Sequence, residues 1–346
     1  MRKIFLTLIL ISLVSLSFGQ LSISLDFVQE NTTLSKISAG TYNFVTDKYY
    51  VCDYDATDPG QCVPILNQDG TESSTYLNTT GLTMGTLQVF AITCGSDGVI
   101  YGGTNIEADP KENNLFRWAS ESAVPTQQTI ADFRFTRVMD VNGTGADTII
   151  VATGEGDDSP VDILTTTDGS TFVLSETTPG LANVKQGIAV NLDGTVLYGT
   201  QGYSTPPAKY IKGVSTWEAD PTFAPTDDPM DPDNWVLFNP CPIGYWDERD
   251  VLFGYSSRST DDNGVLSAID GTDGSLLDSI QTGVNDPFYG YGNIELDMAA
   301  LGGEGRLICR DAGDTGYIAA KFTVAYPTPS PTPLVLQANS AWGLYE

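Results

Sequence analysis

The sequence predicts an all-β fold, a β-propeller of six, or alternatively seven, four-stranded blades. Three observations predict it: a repeat of about fifty residues, pairs of short apolar runs joined by turn residues within each repeat, and no convincing amphipathic helical pattern. A pair of β-sandwiches is the competing architecture, but sandwiches rarely show self-similarity at such a period.

The repeat is marked six times by an acidic residue, often followed by glycine, that precedes a β-branched or aromatic run. These acidic residues recur at intervals of 46 to 57 residues, at Asp47, Asp97, Asp147, Asp193, Asp250 and Glu304. Asp97-Gly98 and Asp193-Gly194 each separate two apolar runs, which predicts a tight hairpin with positive φ at both central residues.

A second strand pair follows in several repeats, for example around the turns of 164–173 and 264–277. Two pairs per repeat predict four strands per unit, which is typical of propeller blades. A seventh blade is the alternative, assembled from residues 21–27 and a strand after residue 333. Closing the ring with both termini would remove exposed sheet edges.

Three segments resemble the repeats of known propellers. The segment 264–278 resembles a quinoprotein-type blade repeat, and Thr167–Phe172 is similar to a shortened Asp-box of sialidase-like propellers with Phe172 where tryptophan is usual. Asp140–Asp147 resembles the calcium loop of integrin-type FG-GAP blades. The three resemblances imply a propeller but select no single family.

The loop Asp140–Asp147 is the candidate metal site. Asp140, Asn142 and Asp147 supply side-chain oxygens on a glycine-containing loop, which is the ligand type that calcium prefers. Calcium is therefore the one cofactor that the sequence predicts. Thr144 stands where such loops usually carry aspartate, and the loop is one residue short, so an ordinary blade turn is the alternative.

The ends of the chain differ in composition from its middle. Residues 1–19 are predicted to be a signal peptide, with Arg2 and Lys3 before an apolar run and small residues before the cleavage point. Residues 20–326 form the predicted propeller, 327–333 a linker rich in Pro, Thr and Ser, and 334–346 a strand-like tail. No later stretch is apolar enough to span a membrane, so we expect a protein that is secreted, extracellular or at the cell surface.

Secretion would permit two covalent modifications. We expect glycans at the sequons of Asn31, Asn78 and Asn142 and at Thr328, Ser330 and Thr332 of the linker. Cys52 and Cys62 flank a turn-rich loop and are predicted to form a disulfide, whereas the pairing of Cys94, Cys241 and Cys309 stays open.

Charge narrows the classes of partner. A formal net charge of −28 argues against nucleic acid and anionic lipid as partners. It favours calcium or a cationic partner, and a solvated surface is the alternative. The chain has no histidine, which excludes Ser-His-Asp and Cys-His catalysis.

These observations predict a non-enzymatic extracellular glycoprotein that acts as a structural or binding module. Its expected partners are other copies of itself, in a homo-oligomer or filament, or another extracellular protein or glycan. Leu334, Val335 and Leu336 would add a strand to a neighbouring subunit, or alternatively fold back onto their own ring. The alternative functions are a calcium-dependent hydrolase of the lactonase type, working through carboxylates, and a carbohydrate-binding propeller.

Two further segments leave alternatives open. The acidic insertion Asp227–Trp235 could bind calcium or a basic partner, or be a solvated loop. The aromatic residues at 245–246 and 288–291 could stack on sugars, or fill the space between blades.

Overall fold

A computed structural model shows the architecture of the chain. It describes residues 21–31, 33–34, 36–84, 88–104, 112–133, 138–153, 161–178, 181, 184, 187–200, 206–214, 216–225, 227–228, 231–235, 242–257, 263–285, 287–311 and 316–326. These residues form 26 β-strands and three short 3-10 helices, and no α-helix occurs among them. None of them builds a helix of the length and hydropathy that crossing a bilayer would require.

Six antiparallel sheets of four strands surround a common axis, so the protein is a six-bladed β-propeller. Blade I consists, from the inner strand outward, of β2 (Ile37–Asn43), β3 (Lys48–Asp53), β4 (Pro64–Leu66) and β5 (Glu72–Tyr76). Blade II consists of β6 (Ala91–Cys94), β7 (Ile100–Gly103), β8 (Glu112–Trp118) and β9 (Thr126–Ala131). Blade III consists of β10 (Met139–Asn142), β11 (Ile149–Thr153), β12 (Val161–Thr166) and β13 (Phe172–Thr178).

Blades IV to VI follow the same order along the chain. Blade IV consists of β14 (Gly187–Val190), β15 (Val196–Thr200), β16 (Ala208–Lys212) and β17 (Trp217–Ala219). Blade V consists of β20 (Ile243–Trp246), β21 (Val251–Ser257), β22 (Asn263–Asp270) and β23 (Leu276–Asn285). Blade VI consists of β24 (Pro287–Ala299), β25 (Gly302–Asp311), β26 (Tyr317–Ala325) and β1 (Ser22–Asn31). The acidic insertion between blades IV and V forms a hairpin of β18 (Asp227–Asp228) and β19 (Asp231–Trp235).

The six sequence markers fall at the second strand of each blade, which confirms the predicted repeat. Five of them lie at or just before its first residue, and Glu304 lies two residues inside β25. The predicted turn geometry was wrong in one respect, because Gly98 and Gly194 have positive φ but the preceding aspartates do not. The turn of blade II is closed by the Gly98 amide, which donates to the Gly95 carbonyl at 2.9 Å, so a single left-handed residue suffices.

The ring is closed by the N-terminal strand. β1 pairs antiparallel with β26 from Ser22 opposite Ala325 to Asn31 opposite Tyr317, and it becomes the outer strand of blade VI. The alternative of a seventh blade is therefore wrong: residues 21–27 complete the sixth blade instead of starting another one. The predicted strand after residue 333 lies outside the described residues.

The core is divided among the six interfaces between neighbouring blades. Six separate clusters of buried residues occupy these interfaces, one for each pair of adjacent blades. The cluster between blades V and VI also buries Leu21 and Ile23 from the closing strand. Counting only residues that the structure describes, the cluster between blades IV and V has the fewest buried members. Packing of sheet faces around the ring thus replaces a single central core and leaves the axis for a channel.

Candidate functional site

The six inner strands surround a cavity on the axis of the ring. Its volume is about 400 Å³, and every blade contributes to its wall where the inner strand ends. Among the described residues that line it, three are carboxylates, those of Asp140, Glu295 and Asp297, and none is a lysine or an arginine. The channel mouth, as we call this cavity, is therefore a polar and acidic site built from residues far apart in the chain.

Asp140 lies on β10 and holds blade III to blade IV. Its Oδ2 accepts a hydrogen bond from the Val190 amide at 2.9 Å, and its Oδ1 accepts one from the Val141 amide at the same distance. Asn142 makes a second hydrogen bond between the same two blades, since its Nδ2 donates to the Val190 carbonyl at 3.0 Å. Burial raises the pKa of Asp140 to about 7, although the two amide donors act in the opposite direction.

Glu295 reaches the same cavity from β24 of blade VI. Its Oε1 accepts a hydrogen bond from the Thr41 hydroxyl of blade I at 2.5 Å. Burial raises the pKa of Glu295 to about 8, and the negative charge of Asp140 adds to this effect. Asp140 and Glu295 each keep part of their surface exposed to the cavity, so a ligand in the channel mouth can reach them.

A thiol completes this set of side chains. Cys94 of blade II lines the channel mouth and is buried. Its pKa is raised well above the usual range, first by burial and then by the charge of Glu295, while a hydrogen bond with Thr41 lowers it. A neutral thiol, a hydroxyl and two carboxylates from four different blades thus meet at one end of the channel.

The chemistry of this arrangement follows from the repulsion between the two carboxylates. Both titrate near neutral pH, and no described residue that lines the cavity is basic. Loss of the second proton therefore costs free energy, because it places a second negative charge beside the first. A bound cation would remove this cost. The same pair, with one member protonated and the other ionised, could also transfer a proton to and from a ligand.

The predicted calcium ligands are separated by the structure. Asp140 faces the channel mouth, whereas Asp147 is exposed in the 3-10 helix Gly145–Asp147. Asn142 uses its Oδ1 to accept a hydrogen bond from the Gly143 amide at 2.8 Å. No group of three or more acidic, cysteine or histidine side chains placed to hold a metal ion occurs within the part of the chain that the structure describes. Calcium binding stays a prediction.

The three sequons occupy different surroundings. Asn31 ends β1, and its Oδ1 accepts hydrogen bonds from the amide and hydroxyl of Thr33. Asn78 accepts one from the Thr80 amide at 3.0 Å. Asn142, in contrast, lies in the channel mouth with its amide engaged by Val190. Glycosylation at these positions stays a prediction, and Thr328, Ser330 and Thr332 lie outside the described residues.

The predicted Cys52–Cys62 disulfide is absent from the structure. Cys52, Cys62, Cys94 and Cys309 are all free and buried, and Cys241 lies outside the described residues. Backbone bonding closes the loop instead, because the Asp53 amide donates to the Cys62 carbonyl at 2.9 Å. Both thiols pack as small apolar side chains between blades I and II.

The remaining candidates lie in the core, in the channel mouth or outside the described residues. Trp246 is 3% exposed and packs edge-on against Tyr326, which places it in the core. Tyr245 lines the channel mouth and donates its hydroxyl to Asp250 at 2.8 Å. Leu334, Val335 and Leu336 lie outside the described residues. The sequence analysis missed Thr41, Cys94 and Glu295. Glu295 could have been found from the sequence, because it is an ionisable residue inside a segment that forms an inner strand.

Comparison with known proteins supports the fold and leaves the function open. No family model matches the sequence, and no curated protein matches it. Among solved structures, the chain is similar to a DUF4623 family protein from Bacteroides eggerthii, with a TM-score of 0.57 and 10% identity over 89% of this chain and 76% of that one.

Two enzymes also share the architecture. A luciferin-regenerating enzyme matches with a TM-score of 0.52 and 12% identity over 86% of this chain and 94% of that one. Hydrazine synthase of Kuenenia stuttgartiensis matches with a TM-score of 0.51 and 10% identity, covering 85% and 84%. At such identities the likeness shows the propeller fold alone.

Proposed function

We propose that this protein is a secreted, non-enzymatic propeller that acts as an extracellular binding module and holds a cationic group in its channel mouth. The observation that carries this proposal is the pairing of Asp140 and Glu295 in one cavity of about 400 Å³, whose described lining residues include no lysine or arginine. The net charge of −28 supports it, because an acidic surface raises the local concentration of cations.

Calcium and an organic amine are the two cations that fit this chemistry. Calcium would use the carboxylates of Asp140 and Glu295 and take waters as its remaining ligands, since it takes six to eight oxygen ligands. An amine would donate hydrogen bonds to the same carboxylates and place its carbon chain beside the apolar wall formed by Val190, Ile294 and Leu296. Both ligands displace protons from the pair, so both should bind more tightly as the pH rises.

The test is calorimetric titration of the purified protein with calcium chloride and separately with butylamine. We expect at least one of the two to bind, with an affinity that rises between about pH 6 and about pH 8 as the carboxylates lose their protons. Glu295→Gln should weaken binding at least tenfold, about 1.4 kcal/mol or more.

Glu218→Gln is the matched control, because it removes the same charge from an exposed position on β17. We expect it to leave the affinity within about twofold of the wild type. Equal affinities for the wild type and Glu295→Gln, or no binding of either cation, would refute the proposal.

A calcium-dependent hydrolase of the lactonase type is the second candidate. The observation that favours it is that the pKa values of Asp140 and Glu295 lie at about 7 and about 8, near the pH at which a general acid or base works best. A panel of lactones and esters separates the two functions. Turnover that Glu295→Gln abolishes would establish the hydrolase, whereas binding without turnover supports the binding module.

Self-association through Leu334, Val335 and Leu336 is a further part of the proposal. The supporting observation is the sequence itself, in which an apolar segment follows a stiff linker rich in proline. It does not depend on the channel mouth.

A further inference from the structure

A second cavity lies between blades II and III, away from the channel. It has a volume of about 270 Å³ and is formed by the hairpin of β8 and β9 together with the turn that precedes β13. Leu115 and six polar or charged residues line it, and the aliphatic parts of these side chains contribute to its surface. None of the described residues that line it is acidic, which is unusual in a chain with 44 acidic and 16 basic residues.

Arg117 supplies the positive charge of this cavity. The side chain is half-buried, and its Nε is buried without a hydrogen-bond partner. Burial raises the pKa of Tyr101, and hydrogen bonds with Thr148 and with the Arg117 guanidinium act in the opposite direction. None of the ion pairs among the described residues includes Arg117. The positive charge of the guanidinium would attract an anionic ligand in this cavity.

The nearest acidic residue of the turn is already engaged. Asp168 accepts hydrogen bonds from the amides of Ser170 and Thr171 at 2.8 and 2.7 Å, and from the Thr166 hydroxyl at 3.0 Å. These donors hold the pKa of Asp168 well below its usual range. Its carboxylate therefore stabilises the turn that presents Ser170 and Thr171 to the cavity.

The two walls of the cavity are fixed relative to each other. Gln128 of blade II accepts a hydrogen bond from the Phe172 amide at 2.9 Å and donates one to the Phe172 carbonyl of blade III. This paired contact joins the outer strands β9 and β13. The distance between Arg117 and the hydroxyls of Ser170 and Thr171 is thus set before any ligand arrives, which lowers the entropic cost of binding.

The geometry points to a binding site for a small sugar acid, a monosaccharide that carries a carboxylate. Arg117 would pair with the carboxylate, since guanidinium donors match its two oxygens. Ser170 and Thr171 would bond the sugar hydroxyls. The volume lies just below the range of about 300–1,000 Å³ that larger ligands occupy, so a single sugar ring fits better than a chain. This inference is independent of the proposed channel function.

The test compares glucuronate with glucose in calorimetric titrations at neutral pH and low salt. We expect glucuronate to bind with a dissociation constant on the order of 1 mM and glucose at least about tenfold more weakly. Arg117→Gln should weaken glucuronate binding at least tenfold. Arg249→Gln, the same exchange at an exposed position outside this cavity, should leave it within about twofold.

A second variant keeps the inference testable if Arg117→Gln does not fold. Ser170 is exposed, so Ser170→Asp should fold, place a carboxylate beside Arg117 and reduce glucuronate binding at least tenfold. Glu295→Gln should leave glucuronate binding unchanged, which separates this site from the channel mouth. Equal binding of glucose and glucuronate, full affinity in a folded Arg117→Gln or Ser170→Asp protein, or no binding at all would overturn the inference.

Discussion

At the scale of single residues, Glu295 shows how a propeller channel changes the chemistry of a side chain. The carboxylate has one neutral donor, the Thr41 hydroxyl, and one charged neighbour, Asp140. Neither compensates for burial, so the folded protein holds a proton on this group at a pH where the unfolded chain has lost it. Ionisation of Glu295 in the folded protein therefore lowers the free energy of unfolding, by an amount that depends on pH.

We expect the free energy of unfolding to fall as the pH rises from about 5.5 to about 8. Glu295 and Asp140 have raised pKa values in the folded state, so their contribution is fully present below the unfolded pKa values of about 4 and is lost as the pH passes through about 7 to 8. Urea denaturation should show a loss of at least about 2 kcal/mol over this range, since each group that stays protonated only in the folded state loses about 1.4 kcal/mol per pH unit.

Glu295→Gln should remove about half of this pH dependence, because the amide still accepts the Thr41 hydrogen bond but does not ionise. Glu218→Gln, exposed on β17, should leave the wild-type pH dependence unchanged. The same slope in Glu295→Gln and the wild type would show that Glu295 is ionised throughout and that its burial has little effect.

At the scale of elements, the interface between blades IV and V combines apolar packing with a buried polar network. Its cluster of buried apolar residues has six described members, and Lys209 of β16 is 9% exposed beside it. The Lys209 ammonium donates to the Gly271 carbonyl at 2.7 Å and lies 3.7 and 3.9 Å from the carboxylates of Asp250 and Asp220. Asp250 also accepts the Tyr198 hydroxyl at 2.9 Å.

Lys209→Ala should therefore destabilise the protein by about 2–3 kcal/mol, because it leaves a buried carbonyl and two carboxylates without their cation. Lys212→Ala is the matched control from the same strand. Lys212 is paired with Glu176 at 2.7 Å but is 41% exposed in its side chain, so its loss should cost about 0–1 kcal/mol. Urea denaturation of both variants measures the difference, and equal costs would show that the network contributes no more than a surface ion pair.

At the scale of the whole molecule, stability depends on closing the ring between the two ends of the propeller. β1 covers β26 over its full length and inserts Leu21 and Ile23 between blades V and VI. The Ile23 amide donates to Asp278 of blade V at 2.6 Å, so the strand also joins two blades. Without β1, the strand Tyr317–Ala325 would be an open edge.

Deletion of residues 21–31 should lower the melting temperature by about 10 °C or more and cause aggregation, because β26 would expose unpaired backbone and apolar side chains. Deletion of residues 327–346 is the control and should leave the melting temperature within about 2 °C of the full chain. Differential scanning calorimetry measures both. An unchanged melting temperature after removal of β1 would show that the ring does not need the closing strand.

The second deletion also tests self-association. If residues 334–346 join copies of the chain, light scattering should show a smaller mass for the shortened protein than for the full chain at high concentration. Identical monomer masses would contradict the predicted role of Leu334, Val335 and Leu336.

The sequence by itself determined the repeating unit of this protein. All six markers fall at the second strand of a blade, because hairpin turns and β-branched strands depend on neighbouring residues, and such local signals are visible in a linear chain. Asp140 was also identified as a site residue from the sequence, although for a calcium loop and not for the channel that it faces.

Only the tertiary structure decided how the units close and what meets at the axis. Thr41 and Glu295 are 254 residues apart and yet share a hydrogen bond, and β1 pairs with a strand almost 300 residues away. The loop between Cys52 and Cys62 is closed by backbone bonds and packing. Contacts of this kind arise from the curvature accumulated over six blades, and no local pattern of turn or strand residues encodes them.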